Sequence, residues 1–212
     1  MTTDASPPAR SQRHSRGDVV EAALAILDEH GLPDLTMRRL ASTLAVQPSA
    51  LYWHFENKQT LLAAVSDRIV HGARARDHGE SDWASAVRFE AEVLRDALLS
   101  FRDGAEVVLS SQALGLGAGE ALTRLTAAIH LGDFDERVER AAAGAFLHFL
   151  LGHVSHEQQR LQADSLGVVT ARHEAKPSDA ESRSRHERDS FEFGVSLLIA
   201  GLTVQSEAIR QR

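Results

Sequence analysis

The 212-residue sequence predicts an all-α fold, and three observations carry that prediction. Apolar residues recur at spacings of three and four, the period of a helix face. Ala and Leu are abundant, while the β-branched alternation that marks strands is missing. Cap and stop residues then divide the chain into helix-sized pieces.

Ser15 and Asp18 have capping-box spacing, each side chain accepting the other's orphan N–H. Val20, Ala23, Leu24 and Leu27 form one apolar stripe, and Gly31 is expected to end the helix in a left-handed cap. Thr36 caps a short second helix carrying Met37, Leu40, Ala41 and Leu44. Pro48 opens a third at the position where its missing N–H costs nothing. Asn57 caps a fourth, with Leu61, Leu62, Val65 and Ile69 turned inward. Further helices are expected at about 83–102, 105–114, 119–131, 135–162 and 189–209, with Gly115, Gly117 and Gly119 in a mobile turn. The polar stretch 163–188 reads as a flexible loop. Three units are therefore expected: a disordered basic tail at 1–14, a helix-turn-helix unit at 15–60, and a larger helical body at 61–212.

Composition removes several function classes. A hydrophobic share of 43% can fill a core. The absence of Cys excludes disulfides, thiolate metal sites and a cysteine nucleophile. No 18-residue apolar run spans a membrane, and residues 1–17 contain no apolar stretch resembling a secretory signal, so a cytoplasmic chain is expected. No glycine-rich phosphate loop, Gly-x-Ser-x-Gly or His-Glu-x-x-His motif is present, and an enzyme is not expected. The net charge of −7 is unevenly spread: residues 1–60 hold six Lys+Arg and seven Asp+Glu, whereas residues 61–212 hold 17 and 23. The acid lies mostly in the body, and the tail contributes Arg10, Arg13 and Arg16, available for phosphate or minor-groove contacts.

Residues 36–55 describe a helix, a tight turn at Leu44–Gln47 and a second helix, the layout whose second helix enters a DNA major groove. On a wheel of about 100° per residue, Leu51 and Phe55 share one face and Ser49, Ala50, Trp53 and His54 the other, with Tyr52 at the border. Burial of Tyr52 and Trp53 in the core is the alternative reading. Lys58 favours the first, because a cation at a helix N-terminus opposes the dipole unless a phosphate accepts both.

Leu35-Thr36-Met37-Arg38, Ala41, Leu44, Val46, Leu51-Tyr52-Trp53-His54-Phe55, Asn57-Lys58 and Leu61-Leu62 resemble the TetR family of bacterial transcriptional regulators. Ala97-Leu98-Leu99, Arg102-Asp103-Gly104-Ala105, His148-Phe149, Leu151-Gly152, Phe193-Gly194 and Gly201-Leu202 resemble its tetracycline-repressor subgroup. The resemblance implies a homodimer held by a four-helix bundle of helices 135–162 and 189–209. In composition, Phe146, Phe149, Leu150, Leu197, Leu198 and Leu202 offer more apolar surface than one helix pair hides. Ala141 through Ala145 and Gly201 would permit close helix approach.

By the same resemblance, Arg38 would read a base, and Thr36, Tyr52, Trp53, His54 and Lys58 would hold the DNA backbone or methyl groups. Where the tetracycline repressor has Gln-Pro-Thr, this chain has Pro48-Ser49-Ala50, so a different operator is expected, still palindromic with half-sites about 10 base pairs apart or a multiple of that. The implied effector pocket comprises Glu90, Leu94, Val108, Gln112, His148, Phe149 and His156. The subgroup's metal-binding histidine is replaced by Val108, its Arg-Pro by Gln112-Ala113, its stacking Phe by Leu94, its Asn by Glu90 and its glutamate by His156. A more apolar effector than tetracycline–magnesium is therefore expected, with no cofactor. His153, His156 and Glu157 have ligand-compatible spacing, but His148 lies about 140° from His153 and no structural metal is expected. The function expected is repression relieved by a small molecule that binds the non-operator conformation more tightly. Movement is expected in the fourth helix and the short helix after Gly104. An activator of the same fold and a helical scaffold without DNA binding are the alternatives.

Overall fold

The computed structural model describes residues 14–72, 82–165 and 177–210, and every element among them is helical. The order is α1 (Arg16–His30), α2 (Met37–Thr43), α3 (Pro48–Tyr52), α4 (Lys58–Gly72), α5 (Trp83–Leu99), α6 (Gly104–Ala113), α7 (Gly119–His130), α8 (Glu136–Ser165) and α9 (Pro177–Arg210).

The start signals act as their chemistry requires. Asp18 N–H donates to Ser15 Oγ at 3.1 Å and Ser15 N–H to Asp18 Oδ2 at 2.7 Å, closing the capping box. Thr36 Oγ1 accepts from Arg39 N–H at 3.1 Å, and Asn57 Oδ1 from Thr60 N–H at 2.9 Å. Asp82 caps α5 by accepting from Ala84 N–H and Ser85 N–H. Gly31 ends α1 with φ +83° but an extended ψ of 174°, so its cap is of positive φ without being the helical left-handed type expected.

Helices α1 to α3 form a small head closed on α4 by Val19, Leu27, Leu40, Leu51, Phe55, Leu61 and Val65, all buried. In the body, α7 packs between α5 and α8, α6 lies between α4 and α8, and α9 runs beside α8 and α5. Phe146, Leu150, Leu151 and Val154 of α8 meet Phe191, Val195 and Ile199 of α9 in the core.

Two expectations require correction. The segment 163–188 is no loop where it is described: α8 continues to Ser165 and α9 begins at Pro177, with residues 166–176 outside the described set. Polarity misled the reading, because Ala, Glu and Arg are good helix formers and Pro177 takes the first helical position. A bridge of 2.5 Å from Arg160 on α8 to Glu187 ties this extension down. Secondly, Phe146, Leu150 and Leu202 fill the protomer's own core, while Phe149 and Leu198 are half-buried. Of the six apolar residues expected to face a partner, Leu197 is exposed, and Phe193 and Val204 join it.

Candidate DNA interface and effector pocket

Geometry presents α3 outward. Ala45 takes the left-handed conformation (φ 52°) that turns the chain between α2 and α3, and Val46 N–H returns to Ala41 O at 3.0 Å. Leu51 and Phe55, each 1% exposed, anchor one face of α3 in the head. The opposite face carries exposed Ser49 and half-buried Ala50 and His54, and at its end Trp53 is 91% and Tyr52 52% exposed. An indole so bare is rare on an isolated soluble surface and suits a partner that covers it.

Other elements hold this surface. Arg39 pairs with Asp34 at 2.5 Å, whereas Arg38 is exposed and has no ion-pair partner among the described residues. Thr36 and Pro48 are also exposed, and half-buried Lys58 is the first residue of α4. Two contacts absent from the sequence expectations brace the turn. His14 Nε2 donates to Leu44 O at 3.0 Å, and the Arg16 guanidinium lies 4.7 Å over the Phe55 ring. His14, a polar residue just ahead of the Ser15 cap, and Arg16, the first residue of α1, carried no spacing that pointed to these partners.

The expected pocket residues divide into groups. Leu94 and Val108 are buried and pack in the body core. Glu90 on α5 is buried against Arg124 of α7, with Arg124 Nε donating to its Oε2 at 2.8 Å. Gln112 on α6 donates to His148 Nε2 on α8 at 3.1 Å. Phe149 stacks on Phe191 with ring centroids 6.1 Å apart and meets the His153 ring at 5.5 Å. His156 is exposed on α8. Glu157 is committed to Arg95 at 2.6 Å, which takes it from the spacing-based ligand set of His153 and His156. Among the described residues, no group of three or more His, Asp or Glu is disposed to hold a metal ion.

Head and body meet at Asp103. Its Oδ2 accepts from Leu32 N–H of the α1–α2 turn at 2.8 Å, and its Oδ1 accepts from the Gln162 amide of α8. Gln158, one turn earlier, donates to Leu98 O and Phe101 O and accepts from Ala105 N–H, joining the α5–α6 corner to the same helix. A Cβ on Gly104 would lie 2.4 Å from Leu98 O, so only glycine allows that corner to close.

The sequence matches two family profiles: bacterial regulatory proteins of the tetR family over residues 19–65, and the tetracyclin repressor-like C-terminal domain over residues 76–206. The tetracycline repressor protein class E of Escherichia coli is 34% identical over 201 residues, covering 91% of this chain and 92% of its own. The protein belongs to the tetR family.

Solved structures of the tetR family agree with that placement. The crystal structure of Mycobacterium smegmatis BioQ superposes with a TM-score of 0.78 at 40% identity, covering 90% of this chain and 98% of that one. BioQ with its double-stranded DNA operator gives 0.72 at 40% identity, covering 89% and 98%. A TetR variant from Acinetobacter baumannii AYE in complex with minocycline gives 0.70 at 29% identity, covering 91% and 98%. As a tetR-family member the protein is a DNA-binding transcriptional regulator. Within its tetracyclin repressor-like body, Arg124, Gln158 and Gln162 are among the structurally engaged residues that sequence reading missed. Their positions on α7 and α8 carried no motif, and only the packing shows what they touch.

Proposed function

We propose that the protein is a homodimeric repressor that grips a palindromic operator through α3 and releases it when a small molecule occupies the body. The observation that carries this reading is the bare Trp53–Tyr52 end of α3, presented beside the unpaired Arg38 and the α4 N-terminus at Lys58. Arg38 offers the planar fork that matches the two acceptors of guanine. Ser49 and Ala50 meet base edges and thymine methyl groups, while Thr36, Pro48, Tyr52, Trp53, His54 and Lys58 position the head on the backbone. It acts in the cytoplasm, where its operator lies, and no described helix is long and apolar enough to cross a membrane.

Two recognition helices must be held one turn of DNA apart, which a monomer does not do. The face available for pairing carries Phe193, Leu197, Gly201 and Val204 on α9, all exposed and on one side of the helix. Exposed Ala141, Ala145 and Gly152 of α8 let a second helix approach closely.

The effector site lies in the body near Gln112, His148 and Phe149. Leu94 and Val108 bring only hydrocarbon to the core beside it, and Glu90 is already occupied by Arg124. Tetracycline with magnesium therefore lacks its histidine and its polar anchor, and an apolar ligand with one hydrogen-bonding group for His148 is the better match. Release follows if the ligand moves α6 and α4, because Asp103 and Leu32 connect the α5–α6 corner to the head.

Fluorescence anisotropy with DNA from upstream of the protein's own gene tests the reading. Binding should weaken steeply with salt, and Lys58→Ala should weaken all sequences alike while lowering the salt slope by about one. Arg38→Ala should cost about 1–3 kcal/mol at one position of each half-site and relax preference there. Failure to bind at low salt would overturn the proposal and favour a scaffold without DNA function. Tetracycline with magnesium should leave the complex intact.

A further inference from the structure

A groove of about 660 Å³ runs between α7 and the first turns of α8, on residues that neither the DNA interface nor the expected effector pocket uses. Leu122, Thr126 and Ala127 of α7 give it one apolar wall. Its polar end holds Glu139, whose carboxylate is only 5% exposed. The partner of that carboxylate is the imidazole of His130, Nδ1 to Oε1 at 2.8 Å, and His130 is itself 75% exposed. Arg140, the lining cation, is engaged with Glu136 on its own helix.

A carboxylate withdrawn from water needs a full counter-charge or several donors. The His130 imidazole offers Glu139 one N–H, where a buried carboxylate has room to accept several donors. Two carboxylates, Glu136 and Glu139, line the groove against one guanidinium, Arg140, which is engaged with Glu136. Glu139 therefore has no arginine or lysine beside it in the groove and sits next to a hydrocarbon wall. That pairing complements an ammonium group on an apolar body.

We propose that this groove is a binding site for small amphiphilic amines, distinct from the effector pocket. The ammonium displaces His130 and donates to Glu139, and the hydrocarbon part lies on Leu122, Thr126 and Ala127. His130, exposed and at the end of α7, is free to swing out without disturbing the core.

The test is titration calorimetry on the full chain with 4-phenylbutylamine, against the isosteric 4-phenylbutanol and 4-phenylbutyrate. The amine should bind once per chain, the alcohol about tenfold more weakly, and the carboxylate not at all; tenfold corresponds to about 1.4 kcal/mol. Glu139→Gln should remove the preference for amine over alcohol. Ala127→Arg alters an exposed residue, so the fold survives while its cation fills the groove, and amine binding should be lost. His130→Gln should leave the amine's affinity within about threefold or improve it, since the displaced competitor is gone. Equal binding of amine and carboxylate, unchanged binding in Ala127→Arg, or no heat at about 1 mM amine would overturn the proposal.

Discussion

Ala45 shows at residue scale how the head is tuned. It holds φ 52° in the turn before α3, a conformation an L-residue adopts at a cost of about 1–2 kcal/mol and glycine adopts freely. Because Ala45 is exposed, Ala45→Gly should raise stability by about 1 kcal/mol after glycine's own entropy loss. A higher urea midpoint at unchanged slope would verify this. Trp53 sets the opposite case. Trp53→Ala should leave the melting curve almost unmoved, because surface changes of this kind fall within about 0.5 kcal/mol, yet weaken operator binding markedly in the anisotropy assay. A residue that contributes to binding and not to folding is what its exposure requires.

Helices α1, α2, α4 and α5 start where short polar side chains meet free backbone N–H groups. The Ser15 backbone and side chain hold the Asp18 carboxyl below its ordinary value of 3.8, and Ser85 does the same at Asp82. A carboxylate with a lowered folded-state pKa adds stability that is present above the unfolded value and lost as pH falls through the folded one. NMR titration of these two carboxyls should therefore give midpoints below 3.8, and the first turns of α1 and α5 should lose their caps only in stronger acid. The α5–α6 corner obeys a steric rule instead. Gly104→Ala forces a Cβ against Leu98 O, and overpacking of that kind costs about 1–3 kcal/mol, measurable as a lower urea midpoint.

At the scale of the whole molecule, two features matter: the contact between head and body, and the apolar stripe left bare on α9. The Leu32–Asp103–Gln162 chain of hydrogen bonds links the α1–α2 turn to the long helix α8. The exposed stripe Phe193, Leu197 and Val204 belongs to α9, the partner of α8 in the core. If the chain dimerises through this stripe as proposed, Leu197→Arg should give folded monomers in sedimentation experiments, keeping the helical circular dichroism and losing tight operator binding. A variant that remains dimeric would place the interface elsewhere.

Much of the fold could be read along the chain because its signals are local. The Ser15–Asp18 box, Thr36, Pro48 and Asn57 act within one turn of themselves, so spacing alone predicts where α1 to α4 begin. The outward face of α3 was legible for the same reason: a wheel places Leu51 and Phe55 opposite Trp53. Contacts between distant segments were not legible, since nothing in the order of residues indicates that Gln162 reaches Asp103 or that Arg124 reaches Glu90. The polar run after residue 177 illustrates the limit. Composition made it resemble a loop, and a bond from Arg160 across to Glu187 holds it beside α8. Local backbone chemistry thus wrote the helices and the outward face of α3, whereas packing chose which apolar residues fill the protomer and which stay bare, because burial depends on neighbours that the linear order does not name.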